Sequence, residues 1–554
     1  MLLAHIDRDR AFSDYRDAMG AMAETNGRSV LWWATDFASK NRVASPAPAI
    51  LHGLAILAGA LQEPGRTALA VVDAPWPVIA AARAHARLRV EGVSGFTLRM
   101  KSLAARLRLI MATLRGGVSA ARTAMAARRF YGPAPALDGP THLLKTFSYP
   151  SAFSGDGDFH DPFLGSLRRF LEAGGRRVLT VAAPLAERTS QFAAMRRVVT
   201  TNCAPVERHW TALEAAVAAI RLSARLVVGF RTPPGLTFLG GDLSVAFRCA
   251  LQGAGGRMPV HQYLHYAAGR RLARRHALRR VTMTWEANPW ERMFVAGLRS
   301  VRPDLPIDGH QHSVTPPAAA GMFPDFRQKT ASPWPDRVLT VGEPNAELIA
   351  RLSDPPRWAQ AACALRYRYD PHVAEPEQCD GPLRVFAPLE GLHEAIDLVD
   401  YVYAQAPLSP DVAFRFRSHP ALPFTAIVAA RALGPAPANV THSVHTAVRD
   451  DVLDSDVVLY WGTTVAVEAM AFGKPLIHFD RGDLFSFDPV HDFRANKWLV
   501  RRGAPLADTL SAIFDAPAAL KAERAQASVD YARRFFAPAN DEAMAMFDPE
   551  DAAT

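Results

Sequence analysis

Two stretches in the second half of the chain combine residue types that bind and activate phosphate. At residues 414–420 an apolar strand pattern ends in Arg417, Ser418, His419 and Pro420. Arg417 would bring permanent positive charge, and His419 can give a hydrogen bond or a proton to a departing phosphate. The plainer alternative is that His419 caps the turn. Residues 457–480 read as a buried strand, a small-residue turn, a helix and a second strand. Thr463 and Thr464 fall at the helix start, where hydroxyls and unpaired backbone N–H groups can hold a phosphate. Gly462 would let the ligand approach the backbone, and Glu468, one turn further, would accept hydrogen bonds from ribose hydroxyls. Capping by Thr463 is the competing reading here. In a parallel sheet Arg417, His419, Gly462 and Thr463 fall at the carboxyl ends of strands, where nucleotides bind.

The first half offers groups suited to deprotonating a hydroxyl. Asp156, Asp158, His160 and Asp161 lie just ahead of a helix, whose N-terminal dipole would keep Asp161 ionised. Capping by Asp161 and metal binding by the Asp-Gly-Asp string are the alternatives, and the proposed chemistry calls for no metal. Residues 284–292 put Glu286 at a strand end beside Trp285, Asn288 and Trp290, and residues 308–313 place His310, Gln311 and His312 in a loop. Trp faces and carboxylates suit sugar rings and hydroxyls, so these loops are expected to line a cleft; the alternative is a core Trp pair with an exposed His loop. As general base the expected order is Asp161, Glu286, His312.

The elements that must position these groups are short Val, Leu and Ile runs alternating with helical patterns, the signature of parallel sheets wrapped by helices. Strands are expected at 29–35, 68–73, 177–182 and 225–229, then at 337–341, 383–387, 412–417, 456–460 and 475–479. Helices are expected at 162–173, closed by Gly174 and Gly175, and at 345–352, 393–404, 463–472, 507–514 and 518–535. The proline-rich residues 315–335 break both periodicities and read as an interdomain linker. The resulting division is an N-terminal domain at 1–320, a C-terminal domain at 321–520, and a helix and tail at 521–554 that can cross back.

A basic insertion near residues 97–132 stands apart. Between 99 and 129 it carries eight Lys and Arg and no acidic residue, with Leu103, Leu107, Ile110 and Leu114 at helical spacing. It reads either as a solvated helix packed on the domain or as an interfacial helix on anionic lipid.

Composition narrows the classes. The 554 residues, 49% hydrophobic, need more than one core. The net charge of +9 rests on 63 basic residues of which only seven are Lys. That Arg bias beside abundant Ala and Pro fits a GC-rich genome, so nucleic acid is not the expected partner. The widely spaced Cys203, Cys249, Cys363 and Cys379 imply neither disulfides nor zinc. Residues 47–61, the longest apolar stretch, contain Pro48 and His52 and fall short of the ~20 residues that span a bilayer. The first ten residues lack a signal-peptide layout. A cytoplasmic protein is expected, with the basic helix as its contact to the inner face of the membrane.

Residues 457–480 resemble the donor-site signature of GT-B glycosyltransferases, in which a Ser/Thr pair precedes a Glu and then a small-Gly-Lys-Pro run, here Ala471 to Pro475. His419-Pro420 resembles the His-Pro motif of bacterial sialyl- and polysialyltransferases. Trp32-Trp33, Asp161, Phe163 to Gly165, the Trp285-Glu286 run interrupted by Ala287, Gln311-His312-Ser313 and Gly342 to Asn345 resemble bacterial surface-carbohydrate biosynthesis proteins. The resemblance implies an α/β, GT-B-like fold, two Rossmann-like domains facing across a cleft. It implies metal-independent transfer, without a cofactor, of a sugar from a nucleotide-sugar donor to a surface glycan or lipid-linked acceptor. Arg417, His419, Gly462, Thr463, Thr464 and Glu468 would hold the donor, and a CMP-linked acidic sugar is favoured. A CDP-alditol phosphotransferase and a non-catalytic assembly scaffold are the alternatives.

Overall fold

The computed structural model describes residues 6–41, 44–62, 74–85, 88–131, 139–153, 157–185, 188–198, 203–325, 327, 333–354, 358–367, 370–374, 381–420, 422–429 and 433–549. The strand and helix patterns resolve into two parallel sheets. In chain order the strands are β1 (Thr141–Ser148), β2 (Arg177–Pro184) and β3 (Cys203–Pro205), a separate antiparallel hairpin of β4 (Thr237–Phe238) and β5 (Gly241–Asp242), then β6 (Leu278–Thr284), β7 (Ile307–Gln311), β8 (Arg337–Thr340) and β9 (Ala359–Ala361). The second series is β10 (Leu383–Pro388), β11 (Val412–Arg417), β12 (Val440–His442), β13 (Val457–Tyr460), β14 (Leu476–Asp480) and β15 (Lys497–Arg501).

The first sheet runs β3-β2-β1-β6-β7-β8-β9 and the second β12-β11-β10-β13-β14-β15. With the hairpin set aside, both follow the doubly wound order third, second, first, fourth, fifth, sixth, and the first adds one edge strand. In such a sheet the order reverses between the first and fourth strands, which opens a crevice at their carboxyl ends. The crevices lie between β1 and β6 and between β10 and β13. This is the α/β architecture of two Rossmann-like domains that the sequence predicts.

In the second series β10, β11, β13 and β14 lie within a residue or so of their expected positions, because buried parallel strands read as continuous apolar runs, while the outer strands β12 and β15 were not expected. The first half differs. The run at 29–35 is helical, Val30–Trp33 followed by Asp36–Ser39 with Thr35 capping the latter. A short apolar run has no period that separates strand from buried helix. The run at 225–229 ends the helix Ala212–Val228, which starts at a Thr211–Glu214 capping pair and stops at Gly229 with φ 75°. The run at 68–73 lies outside the described residues. The helix expected from 162 begins only at Leu167, after an irregular turn. The unsignalled β1 is an interior strand, paired with β2 and β6; His142, Lys145 and Thr146 break its apolar pattern, yet all eight residues are buried.

The expected boundary near residue 320 falls inside the first sheet. Strand β8, expected to open the second domain, pairs with β7, and the chain crosses over between Ala361 and Leu383. The proline-rich residues 315–335 connect β7 to β8, and the buried Lys40 ammonium donates to the Phe323 carbonyl at 2.6 Å. Prolines mark a break in regular structure; sheet membership is a long-range property that they do not report.

The C-terminal segment packs back onto the first sheet and the crossover. Phe536 stacks on Tyr367 at 4.3 Å, Ala537 N–H donates to Val341 O, and Ala364 N–H donates to Ala537 O. Met544 and Phe547 join the apolar cluster of Leu144, Leu167 and Leu339. Asp548 then closes the return, accepting from Arg176 at 2.6 Å and from Arg279 at 2.7 Å. Gly342 is bare because a Cβ would lie 2.2 Å from the Arg534 carbonyl oxygen, at the end of the returning helix Ala518–Phe535.

Burial works against ionising Asp548, but the hydrogen bonds from Arg176 and Arg279 outweigh it and hold the carboxyl below its usual range. Its contribution is therefore present above the unfolded value of about 4 and is lost as pH falls through the depressed folded value. Asp548→Asn is expected to cost about 1–3 kcal/mol at pH 7. The cost should shrink toward zero near pH 2; a pH-independent loss in urea melts would contradict this account.

Candidate functional site

The first sheet presents its groups at the crevice between β1 and β6. Glu286 follows β6 and keeps a side chain 41% exposed, while its Oε1 accepts from Ser313 Oγ at 2.6 Å and lies 3.6 Å from His312 Nε2. The turn is built by the buried Glu291, whose Oε2 accepts from the backbone N–H groups of Glu286 and Asn288, each at 2.9 Å. Asn288 completes a capping box for the helix Pro289–Arg299. Between them Ala287 sits at φ 59°, a left-handed conformation costing an L-residue roughly 1–2 kcal/mol. That strain lets the chain turn within three residues while Glu286 faces outward.

His310 and Gln311 lie on β7 rather than in the expected loop, and His312 follows immediately. Gln311 is structural: it accepts from Val341 N–H at 3.1 Å and donates to Asn345 at 3.4 Å. His312 is buried edge-on to Phe163, ring centroids 4.9 Å apart. Burial lowers its proton affinity, opposed by Glu286 and reinforced by Arg366.

Asp161 behaves largely as a cap. Its Oδ1 accepts from Thr146 Oγ1 and from the backbone N–H groups of Phe163 and Leu164, all at 2.8 Å, so it shapes the turn before the helix Leu167–Ala173. Its Oδ2 is sealed from solvent without a hydrogen bond, and burial raises the carboxyl to about 6. Asp158 is held by Arg168 at 2.7 Å and Arg169 at 3.4 Å, while Asp156 lies outside the described residues. Among the described residues no group of three His, Cys, Asp or Glu could hold a metal ion.

On the second sheet, His419 follows β11 and rests on Gly391, three residues past the end of the neighbouring β10; a Cβ on Gly391 would lie 2.7 Å from His419 Nδ1. Thr463 and Thr464 follow β13, next across the crevice, and Glu468 lies half-buried on the helix Val465–Ala471. Gly462 serves a different purpose from the one expected. The space its missing side chain leaves is filled by Phe487, whose Cβ would be 2.9 Å away. Arg417 is likewise engaged, donating to Asp451 at 2.6 Å, to Ser443 and to the carbonyls of His445 and Thr446. It braces β11 against the helix Val448–Leu453. Lys474 donates to the carbonyls of Leu453 and Ser455, and Gly473 turns at φ 70°, so the Gly-Lys-Pro run ends a helix and ties it down.

The residues that join the two sides belong to the crossover and were not singled out in the sequence. Arg366 stacks over Phe163 at 5.1 Å and over Tyr367 at 5.2 Å. Its charge adds to burial in lowering the proton affinity of both His312 and His419. Burial raises the Tyr367 phenol; Arg366 opposes this, and the charges of Glu468 and Glu286 add to it. Arg366 thus lies within electrostatic reach of His312 on one sheet and His419 on the other, and Tyr367 within reach of Glu286 and Glu468. The Arg-Tyr-Arg-Tyr run at 366–369 is the sequence signal that would have found them.

Two Rossmann-ordered sheets that face each other through such a crossover define a GT-B-like fold. Neither a protein-family model nor a curated protein matches the sequence. Among solved structures, the chain is similar to the lipopolysaccharide outer core galactosyltransferase WaaB, at TM-score 0.42 and 11% identity over 74% of this chain and 99% of that one. It is similar to Anabaena HepE in complex with UDP-glucose, at 0.38 and 12% over 73% and 97%, and to the glycosyltransferase SnogD from Streptomyces nogalater, at 0.37 and 13% over 74% and 98%. At such values the strand order, rather than the overlay, identifies the architecture.

Gly391→Ala should push the His419 ring off its seat and away from Arg366. The imidazole, now held below 6.5 by burial and by Arg366, is expected to titrate closer to 6.5 in the variant. An NMR titration of His419 identical in both proteins would show that Gly391 does not seat the ring.

Proposed function

We propose that the chain is a glycosyltransferase that holds a nucleotide-sugar donor on the second sheet and an acceptor hydroxyl on the first. The observation that carries the reading is that Arg366, stacked over Phe163, and Tyr367 are coupled electrostatically to a histidine and glutamate pair on each sheet, Glu286 with His312 and Glu468 with His419. Each pair lies where a doubly wound sheet binds ligands, and the shared cation suits a group that gains negative charge between them.

In this reading Glu286 takes the proton of the acceptor hydroxyl. It is the most exposed of the three candidate bases, and Ser313 and His312 hold it at the crevice. The acceptor oxygen bonds to the anomeric carbon as the bond from that carbon to the donor phosphate breaks. The phosphate leaves with the electron pair, stabilised by Arg366 and by a hydrogen bond from His419. Burial and Arg366 favour the neutral form of His419, so it acts as a hydrogen-bond donor. Thr463 and Thr464 lie beside the phosphate, and Glu468 accepts from the ribose. The pairing of His419-Pro420 with Thr463-Thr464 favours a CMP-linked acidic sugar, delivered to a growing surface glycan. Asp161 moves from first choice of base to support of the loop that carries Phe163.

Calorimetric titration with CMP and UDP tests the donor half. Tighter binding of CMP is expected, with His419→Ala and Glu468→Ala each weakening it ~10-fold or more, as for loss of a charged or charge-assisted hydrogen bond. Affinity unchanged in both variants would remove these residues from the donor site. With donor saturating, Glu286→Gln should lower single-turnover rates by ~10²–10⁴ with little change in donor affinity. A larger loss in Asp161→Asn, with an acidic limb near its raised pKa of about 6, would return the role of base to Asp161. Release of CMP from a CDP-alditol instead of a CMP-sugar would make the protein a phosphotransferase.

A further inference from the structure

The basic insertion forms one helix, Gly95–Tyr131, and its apolar residues are not where a packed helix would put them. The face turned to the domain is made of small residues, Thr113, Gly117, Ala120, Ala124 and Ala127. The large ones point outward: Phe96, Met100, Leu103, Leu107, Met111 and Leu114, at successive spacings of four and three, are all exposed, Leu107 by 55%. They form a continuous stripe along the free side of the helix.

The helix beside it repeats the arrangement. Ala212–Val228 buries Ala215, Ala218, Ala219 and Leu222, and exposes Leu213, Val217, Ile220 and Val227, Ile220 by 65%. The two run antiparallel, since Gly117 faces Ala219 while Arg106 donates to the Val227 carbonyl. A Cβ on Gly117 would lie 2.5 Å from that of Ala219, so the helices touch through their small residues. With the small faces turned to each other and to the domain, both large-residue stripes point to the same side, away from the sheet. Thirteen of the twenty exposed large apolar side chains among the described residues lie on these two helices, so the face is a feature and not the usual scatter.

Charge selects the occupant. The long helix carries eight cations and no acid. Exposed Arg108, Arg115 and Arg122 flank its stripe, Arg221 lies on the second helix, and among the described residues none of these four meets a carboxylate. Lys101 covers the half-exposed Trp76 ring at 4.8 Å, which sets an aromatic at the edge of the basic zone. A second copy would bring two sets of cations together, whereas an anionic surface would neutralise them. No helix of the described residues is long and apolar enough to cross a membrane.

We propose that these two helices form one docking platform on an anionic bilayer, their paired stripes entering the headgroup region and their arginines meeting lipid phosphates. This goes beyond the transfer reaction and does not depend on it. The donor half of the cleft lies on the other sheet.

The test is co-sedimentation of the full chain with vesicles of phosphatidylcholine alone or with about one third phosphatidylglycerol. Retention is expected only with phosphatidylglycerol, falling ~10-fold or more between low and ~0.5 M salt. Replacing Leu107 and Met111 by Gln, or Ile220 and Val227 by Gln, should each lower partition ~10-fold or more. Arg108, Arg115 and Arg122 changed to Gln should lower it similarly. Circular dichroism and nucleotide affinity should stay unchanged in all three variants, which keeps a failure here distinct from a failure of the donor site. Equal binding to neutral vesicles, or retention indifferent to the Ile220 and Val227 pair, would overturn the two-helix platform. A dimer in solution that the Gln variants convert to monomer, without vesicle binding, would assign the face to a second copy instead.

Discussion

A parallel sheet sends every strand's carboxyl end to one edge, and the chain must travel back along a helix before it can start again. All loops able to touch a ligand at the crevice therefore leave from a single rim. In this protein that constraint operates twice. Glu286 and His312 follow β6 and β7; His419 and Thr463 follow β11 and β13. Residues far apart in sequence come together without any one segment being specialised for the purpose. What remains is to hold the two rims opposite each other, and the crossover after Ala361 together with the return through Phe536 and Asp548 does so.

Much of the interior is spent on fixing a few side chains. The buried Arg292 guanidinium lies 4.7 Å over Trp334 and 5.6 Å from Trp33, and donates to the carbonyls of Ala38 and Gly321. It thereby joins the N-terminal helices to the helix capped by Asn288. One residue earlier, Glu291 fixes the backbone that carries Glu286. Burial pushes the Glu291 carboxyl up, against the pull of the equally buried Lys145. A deformable support would tolerate neither the strained Ala287 nor a carboxyl so deep in the protein, so the rim beside β6 is rigid.

The four inner strands of the second sheet were legible because each is a compact apolar run ending at a recognisable break, whereas its edge strands β12 and β15, mixed in polarity, were not. The first was less so. Polar residues inside β1 hide a strand whose burial comes from helices many residues away, and Trp32-Trp33 offers the same four-residue apolar signal to a helix or a strand. Residue type pointed to Glu286, His312 and His419 at the strand ends, but could not separate groups free to meet a ligand from braces. Arg417, Gly462 and Lys474 carry the signature of the motif and are used to pack it, because bracing and binding draw on the same donors. The exposed stripe on the basic helix was visible as periodicity; that it points outward follows only from Gly117 and Ala120 claiming the inward face.

The crossing-back of the chain also sets an order in time. Asp548 pairs with Arg176 across 372 intervening steps of sequence and with Arg279 across 269. At ~5–20 residues per second, Arg176 waits on the order of 20–70 s after its own synthesis for that partner. Once Ala361 has been made, in the latter half of this interval, the first sheet has its strands but lacks Met544 and Phe547, leaving Leu144, Leu167 and Leu339 short of their cover. The N-terminal half is thus the first to be made and among the last to be finished, and in that window chaperone binding and aggregation would compete with completion of the fold.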